Sequence, residues 1–291
     1  MKLHTMLQWV VIGMLLSGCG HPVASNATGD PQGTLQIKGS DTMVNLVQGW
    51  AEAFMQRYPQ VMVSVTGGGS GTGIAGLLNG TTDIASCSRA MSDSEQAQAK
   101  AQGWTPDEIT AALDGLVVVV HPSNPVSRLT LQQLADIFTG KITNWQTVGG
   151  VDAPMVVLSR EVNSGTHVYF KEHVLRHGNP KGPEEYARSA LLLSSSQAIA
   201  DEVAHNAQAI GYYGMGYLSP KQKAIAVGKD TSGPFIPPTV DAVRGGTYPI
   251  ARPLLFYVRD AHAPLTTLFV EFALSPDGQR VVAEQDFVPV H

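Results

Sequence analysis

Cysteine is almost missing from this chain: Cys19 and Cys87 are the only two among 291 residues. With Cys19 in a targeting segment, Cys87 has no intrachain partner, so the fold cannot depend on an internal disulfide. Cys87, within Ile84-Ala85-Ser86-Cys87-Ser88, reads as a small buried hydrophobe. Charge is sparse too: 15% of residues are charged, the formal net charge is −5, and no basic patch is present, which argues against a nucleic-acid partner. A diffuse negative balance leaves an anionic ligand open, because oriented N–H groups act locally. Short-period repeats, low-complexity tracts and heptads are absent, and a monomer is the expectation.

Missing motif partners narrow the chemistry further. No Gly-Lys-Ser/Thr follows either glycine loop, so there is no P-loop. Gly71-Thr72-Gly73-Ile74-Ala75-Gly76 matches G-x-G-x-x-G, but Asp83 comes too early for the ribose acid and Glu95 sits in a polar helical stretch. A nucleophile elbow is excluded because Gly68-Gly69-Ser70-Gly71-Thr72 ends in threonine. Ser164 lies near His167, but sequence proximity alone makes no triad. His173 and His177 stand one helical turn apart without an evident third ligand, which reads as two exposed histidines. The expectation is a non-enzyme with no metal and no cofactor.

What is present begins with a targeting segment. Lys2 precedes a largely apolar stretch, Met6 to Leu16, too short to span a bilayer and matching a signal-peptide core. Leu16-Ser17-Gly18-Cys19 resembles a bacterial lipobox, so residues 1–18 are expected to be removed and Cys19 lipidated. Cleavage takes away one lysine and moves the formal charge from −5 to −6. Residues 19–33, with His21-Pro22, Gly29-Asp30-Pro31 and no apolar period, read as a flexible tether. The remaining length exceeds one typical core, and two lobes are expected.

Strand and helix signals then alternate. Leu35–Ile37 and Val61–Val65 read as strands, with helical spacing from Met43 to Tyr58 between them, Thr42 or Asp41 at its N-cap, and Pro59 at its end. A helix starts at Ile74–Leu78 and a brief strand at 82–85, which is the grammar of an α/β lobe with parallel strands. Leu116–Val120 has the continuous apolar character of a buried strand. A helix at Leu131–Phe138, a strand at Met155–Arg160, a helix at Val168–Leu175 and strands at Ile210–Met215 and Tyr248–Val258 follow. Leu265 to Ala283 is helical with a break at Ser275-Pro276-Asp277-Gly278.

Two hydroxyl-rich loops stand out at strand ends: Gly67 to Gly73, and Arg160-Glu161-Val162-Asn163-Ser164-Gly165-Thr166. Glycines admit close approach of backbone to a ligand. Free N–H groups at a helix start bind oxyanions, and arginine offers a planar fork. The C-terminal ends of strands are where open α/β sheets bind ligands. Arg89 and Glu161 read as solvent-facing or paired charges, outside the contact set.

The order and spacing of these motifs resemble the periplasmic phosphate-binding proteins of ABC importers. The resemblance rests on Gly39-Ser40-Asp41-Thr42-Met43, Gly67 to Gly73, Asp83-Ile84 with Ser88-Arg89, and Arg160 with Ser164-Gly165-Thr166. Ala209-Ile210-Gly211-Tyr212, Tyr248 to Pro253 and Ser275 to Gln279 extend it over roughly residues 34 to 290. It implies a two-lobed periplasmic-binding-protein type II fold, α/β in both lobes, with a two-segment hinge. Lobe one would hold 34–116 plus 253–291 and lobe two 117–252. It further implies a phosphate site of Ser40, Asp41, Thr42, Ser70 and Ser88 facing Arg160, Ser164, Gly165 and Thr166. An ABC permease is the implied partner, and the periplasm or the outer face of the cytoplasmic membrane, with a lipid on Cys19, the implied location. Some family members carry aspartate where Ser88 stands, to accept the proton of phosphate, so that role is expected to pass to Asp41. The rivals are the same clamp for sulfate, molybdate or tungstate, a phosphate-ester hydrolase on the same fold, and a signalling or adhesion lipoprotein.

Overall fold

A computed structural model describes residues 30–259 and 263–291. The signal segment, Cys19 and most of the 19–33 tether lie outside the described residues. The first part follows the expected alternation: β1 (Gly33–Gly39), a 3₁₀ turn at 41–43, α1 (Val44–Arg57), β2 (Val61–Thr66), α2 (Ser70–Leu78) and β3 (Ile84–Cys87). β1 pairs in parallel with both β2 and β3, and parallel neighbours need crossover helices such as α1 and α2. Helix α3 (Asp93–Ala101) starts with a reciprocal cap between Ser92 and Glu95.

Strand β4 (Asp107–Val120) is fourteen residues long and starts nine residues before the apolar run that announces it. The nine residues before that run carry Asp107, Glu108 and Asp114, which hide the strand signal in the sequence. Beyond it come β5 (Arg128–Thr130), α4 (Leu131–Phe138), β6 (Val156–Arg160), α5 (Gly165–Phe170), β7 (Leu191–Leu193), α6 (Ser196–His205) and β8 (Ala209–Gly214). Short pieces β9 (Lys223–Ala224), β10 (Ala226–Gly228) and α7 (Val240–Arg244) precede β11 (Ala251–Val258), α8 (Pro264–Leu274) and α9 (Pro276–Glu284).

The strands join in the order β2-β1-β3-β11-β4-β8-β6-β7. β4 links the two halves. It pairs antiparallel with β11 as far as Gly115 and with β8 from Leu116 onward. β4 is therefore shared by both halves of the sheet, whereas β11 lies wholly on the β3 side of it. Each half has its own aromatic centre. Phe54 meets Phe269 edge-on at 5.2 Å, and Trp50 meets Phe256 at 5.3 Å while donating its indole N–H to Gly278 O at 2.7 Å. In the other half Phe170 stacks on Tyr212 at 3.9 Å and meets Phe138 at 4.8 Å.

Several expectations need correction. Neither Asp41 nor Thr42 caps α1, since a 3₁₀ turn intervenes and no side chain closes either helix start. α5 begins at Gly165, not Val168, and then widens into a π-type turn over 171–175, with Arg176 N–H bonded to Lys171 O. β11 begins at Ala251, not Tyr248, and the Tyr248 hydroxyl instead donates to Leu116 O at 2.7 Å.

Truncating Phe54 to alanine removes the centre of the first aromatic cluster. The expected loss is about 3–5 kcal/mol of unfolding free energy, read by urea denaturation.

Candidate functional site

The strand ends deliver hydroxyls to one buried place. Ser40 follows β1, Ser70 opens α2 and Ser88 follows β3, and all three are buried. Ser40 Oγ donates to Ser88 Oγ at 2.9 Å, and Ser70 Oγ lies 3.3 Å from Ser88 Oγ. The Ser88 N–H also donates to Ser70 Oγ at 3.0 Å. Thr42, in the 3₁₀ turn, lies 2.7 Å from Thr166 of α5, hydroxyl to hydroxyl.

The second loop closes against the first. Gly71 N–H donates to Asn163 O at 3.1 Å, and Asn163 Nδ2 donates to Gly68 O at 2.7 Å. Gly165 fits only because it lacks a side chain: a Cβ there would stand 2.3 Å from Ser70 Oγ and 2.7 Å from Ser88 Oγ. The start of α5 therefore packs directly against the serine cluster, and the first N–H groups of a helix have no intrahelical partner. Ser164 caps α5, its hydroxyl accepting from His167 N–H at 3.5 Å.

Arg160, at the end of β6, is 1% exposed and already engaged. Its Nη1 donates to Ser196 Oγ at 2.8 Å and lies 3.0 Å from Asp41 Oδ2, while Nη2 donates to Ser194 O at 2.9 Å. Burial lowers its pKa, and the Asp41 carboxylate opposes that shift. Asp41 Oδ2 also accepts from Ser196 N–H at the start of α6, at 2.8 Å. Asp41 thus reaches from the first loop to a helix start on the far side, and its backbone carbonyl accepts from Tyr217 OH at 2.8 Å.

A second arginine lies between the two hydroxyl groups. Arg252 of β11 donates through Nε and Nη2 to Asp114 Oδ2 at 3.0 and 2.8 Å, through Nη1 to Ser88 O at 2.9 Å, and through Nη2 to Thr166 Oγ1 at 3.0 Å. Both partners of this ion pair have fully buried side chains. Burial pushes the Asp114 carboxyl up, and Arg252 and the Met215 N–H pull it back. The arrangement offers many hydroxyl and N–H donors, with each arginine balanced by one aspartate. Uncharged hydroxyl and N–H donors gathered at helix starts have the chemistry that suits an oxyanion.

The profile of the family described as PBP superfamily domain matches residues 24–277. The phosphate-binding protein PstS of Pseudomonas aeruginosa is 32% identical over 277 residues, which is 89% of this chain and 83% of the relative. The chain belongs to the PBP superfamily, among the phosphate-binding proteins of ABC importers. A Clostridium perfringens phosphate ABC transporter substrate-binding protein, solved with bound phosphate, superposes with a TM-score of 0.80 at 32% identity, covering 89% of this chain and all (100%) of that one. An ABC-type phosphate transport receptor from Vibrio cholerae gives 0.70 at 33% identity, covering 87% and 99%. The fold is the two-lobed type II arrangement of these neighbours.

Within that superfamily fold, the structure brings Ser40, Thr42, Ser70, Ser88, Gly165 and Thr166 together. Arg160 and Asp41 pair with each other beside this cluster, and Ser164 serves the α5 cap. Sequence reasoning missed Arg252, Asp114 and Ser196. Arg252 had a visible signal, lying inside the Tyr248–Pro253 motif, and Asp114 stands conspicuously just before the apolar run of β4. Ser196 had none, because α6 itself was not foreseen. Arg89 pairs with Glu95 through two bonds of 2.7 and 2.8 Å. Cys87 is buried, and burial pushes its thiol pKa far up, so it is inert. His173 stacks on Tyr169 at 3.8 Å.

His167, behind Arg160, is buried and donates from Nδ1 to Arg160 O at 2.8 Å. Burial lowers its pKa from 6.5 to about 4, so the folded chain keeps it neutral. The unfolded chain binds that proton first as the medium is acidified. Stability contributed by neutral His167 is therefore complete above pH 6.5 and falls as pH drops from 6.5 toward about 4. Replacing His167 with Gln is expected to flatten this part of the acid-unfolding curve, measured as denaturation midpoint against pH.

Proposed function

We propose that this chain captures inorganic phosphate outside the cytoplasmic membrane and hands it to an ABC permease. The supporting observation is the cluster of Ser40, Thr42, Ser70, Ser88 and Thr166 hydroxyls, buried between two loops that start helices on opposite sides. Relatives named for phosphate binding, one of them solved with bound phosphate, agree with it. The phosphate contacts are Ser40, Asp41, Thr42, Ser70 and Ser88 from lobe one (34–116 plus 253–291), and Arg160, Ser164, Gly165 and Thr166 from lobe two (117–252). Hydroxyls that bond one another when the loops touch are the same donors that a tetrahedral anion satisfies. Binding is then a hinge closure with no chemical step, and the chain works as a monomer.

Selectivity rests on Asp41. Its bonds to Arg160 and Ser196 both use Oδ2, which leaves Oδ1 to accept the proton that monohydrogen phosphate carries and sulfate lacks. A carboxylate facing an unprotonated dianion at short range repels it, at a cost on the order of several kcal/mol. The targeting reading completes the proposal: residues 1–18 are removed, and a lipid on Cys19 holds the protein at the outer face of the membrane.

Titration calorimetry on anion-stripped protein decides the ligand. One-to-one binding of phosphate without sulfate heat is expected, and heat from sulfate or molybdate instead would change the ligand while keeping the clamp. Asp41→Asn is expected to weaken phosphate more than sulfate, and an equal loss of both would refute its role. Arg160→Ala is expected to cost about 3–5 kcal/mol of binding, because it leaves Asp41 uncompensated; a change under about threefold would place Arg160 outside the site. For the anchor, Cys19→Ala is expected to move the protein from the membrane pellet to the soluble fraction.

A further inference from the structure

Arg252 bonds the serine loop, the threonine pair and the strand that both halves of the sheet share. Its acceptors are Ser88 O, Thr166 Oγ1 and Asp114 Oδ2. Tyr169 covers it, with the ring centre 5.5 Å from the guanidinium carbon. A guanidinium has only donors, so the direction of each bond is fixed. Thr166 Oγ1 must accept from Arg252. Thr42 and Thr166 then hold two protons between them, and their mutual 2.7 Å bond uses one, whichever hydroxyl donates. One proton is left for a third atom. A charge-assisted bond on the oxygen also polarises its O–H and strengthens that onward donation.

The serine side lies against the same backbone. Ser88 N–H donates to Ser70 Oγ and Ser40 Oγ donates to Ser88 Oγ, while between the Ser70 and Ser88 hydroxyls, 3.3 Å apart, either one can be the donor. The Ser88 backbone is the one that Arg252 holds through its carbonyl. Serine and threonine hydroxyls thus meet near one guanidinium, and on the threonine side its donation fixes that one proton faces outward.

We propose that Arg252 is a positioning residue: acting through Thr166, it presets the threonine pair to donate to an oxyanion. This rests on the phosphate reading of the site. The competing role is a plain brace between β4 and β11, where Arg252 and Asp114 are direct cross-strand partners. The two roles differ in one respect. A brace affects binding regardless of residue 166, whereas a residue acting through Thr166 loses its effect once that hydroxyl is gone.

The test is a double-mutant cycle on the full chain, with inorganic phosphate as the titrant. Arg252→Gln combined with Asp114→Asn removes both buried charges together, so neither is left unpaired. It is expected to weaken phosphate at least about tenfold when position 166 is threonine or serine (T166S), and less than about threefold in a Thr166→Val background. Equal losses in all three backgrounds would overturn the proposal and leave Arg252 a brace. If the neutralised variant fails to fold, Arg252→Lys takes its place, since it keeps a cation against Asp114 but lacks the fork that reaches three acceptors. The same dependence on residue 166 is then expected. A wild-type chain that binds no phosphate would overturn the underlying reading and this inference with it; additive losses overturn this inference alone.

Discussion

Two opposite charges with no exposure to water, Arg252 and Asp114, sit directly across from each other on β11 and β4. Burying a charge is costly unless its partner and its remaining hydrogen-bond capacity are all satisfied. Here they are: the guanidinium serves Asp114, Ser88 O and Thr166 Oγ1, and the carboxylate also accepts from Met215 N–H at 2.9 Å. The requirement reaches outward. Ser88 must end β3 with its carbonyl turned inward, and α5 must bring Thr166 within reach. β8 must end at Gly214, where a Cβ would stand 2.8 Å from the Asp114 carboxylate. The position of the serine and threonine loops follows from satisfying this pair.

The site gains its character from donors more than from net charge. Arg160 is matched by Asp41 and Arg252 by Asp114, so the excess lies in hydroxyl and backbone N–H groups. These groups keep their donor character at any physiological pH. They also sit on the ends of strands and the starts of helices, where the backbone is anchored by the ladder on one side and the helix on the other. Precision of placement then comes from the fold itself, with little conformational freedom left to lose when an anion arrives.

Much of this was legible in the chain. Regular alternation of apolar runs and glycine-hydroxyl loops exposed β1, β2, β6, α4 and the parallel grammar of the first lobe, because each element carries its own local signal. The hydroxyl-rich loops that follow those strands were legible for the same reason, while the individual serines and threonines were named through the family resemblance. Long-range pairing was not. Nothing local to Asp41 says that its carboxylate crosses to the start of α6, and the polar first half of β4 is a strand only because β11 lies beside it. Arg252 lies inside the Tyr248–Pro253 motif, but nothing local to it says that Asp114 stands opposite.

The continuity of β4 sets how the molecule can flex. Its ladder with β11 ends at Gly115, and its ladder with β8 begins at the next residue. A shift of register at Leu254/Leu255 interrupts the β11 side, and Leu113 is bonded to Val288 near the C-terminus. On the proposed hinge closure, the strand that has to twist is β4, which both ladders share. It is held on either side of the junction by backbone hydrogen bonds, whereas the loops meet through side-chain contacts that an anion or water can replace. A spring of one kind and a catch of another let the two be altered separately.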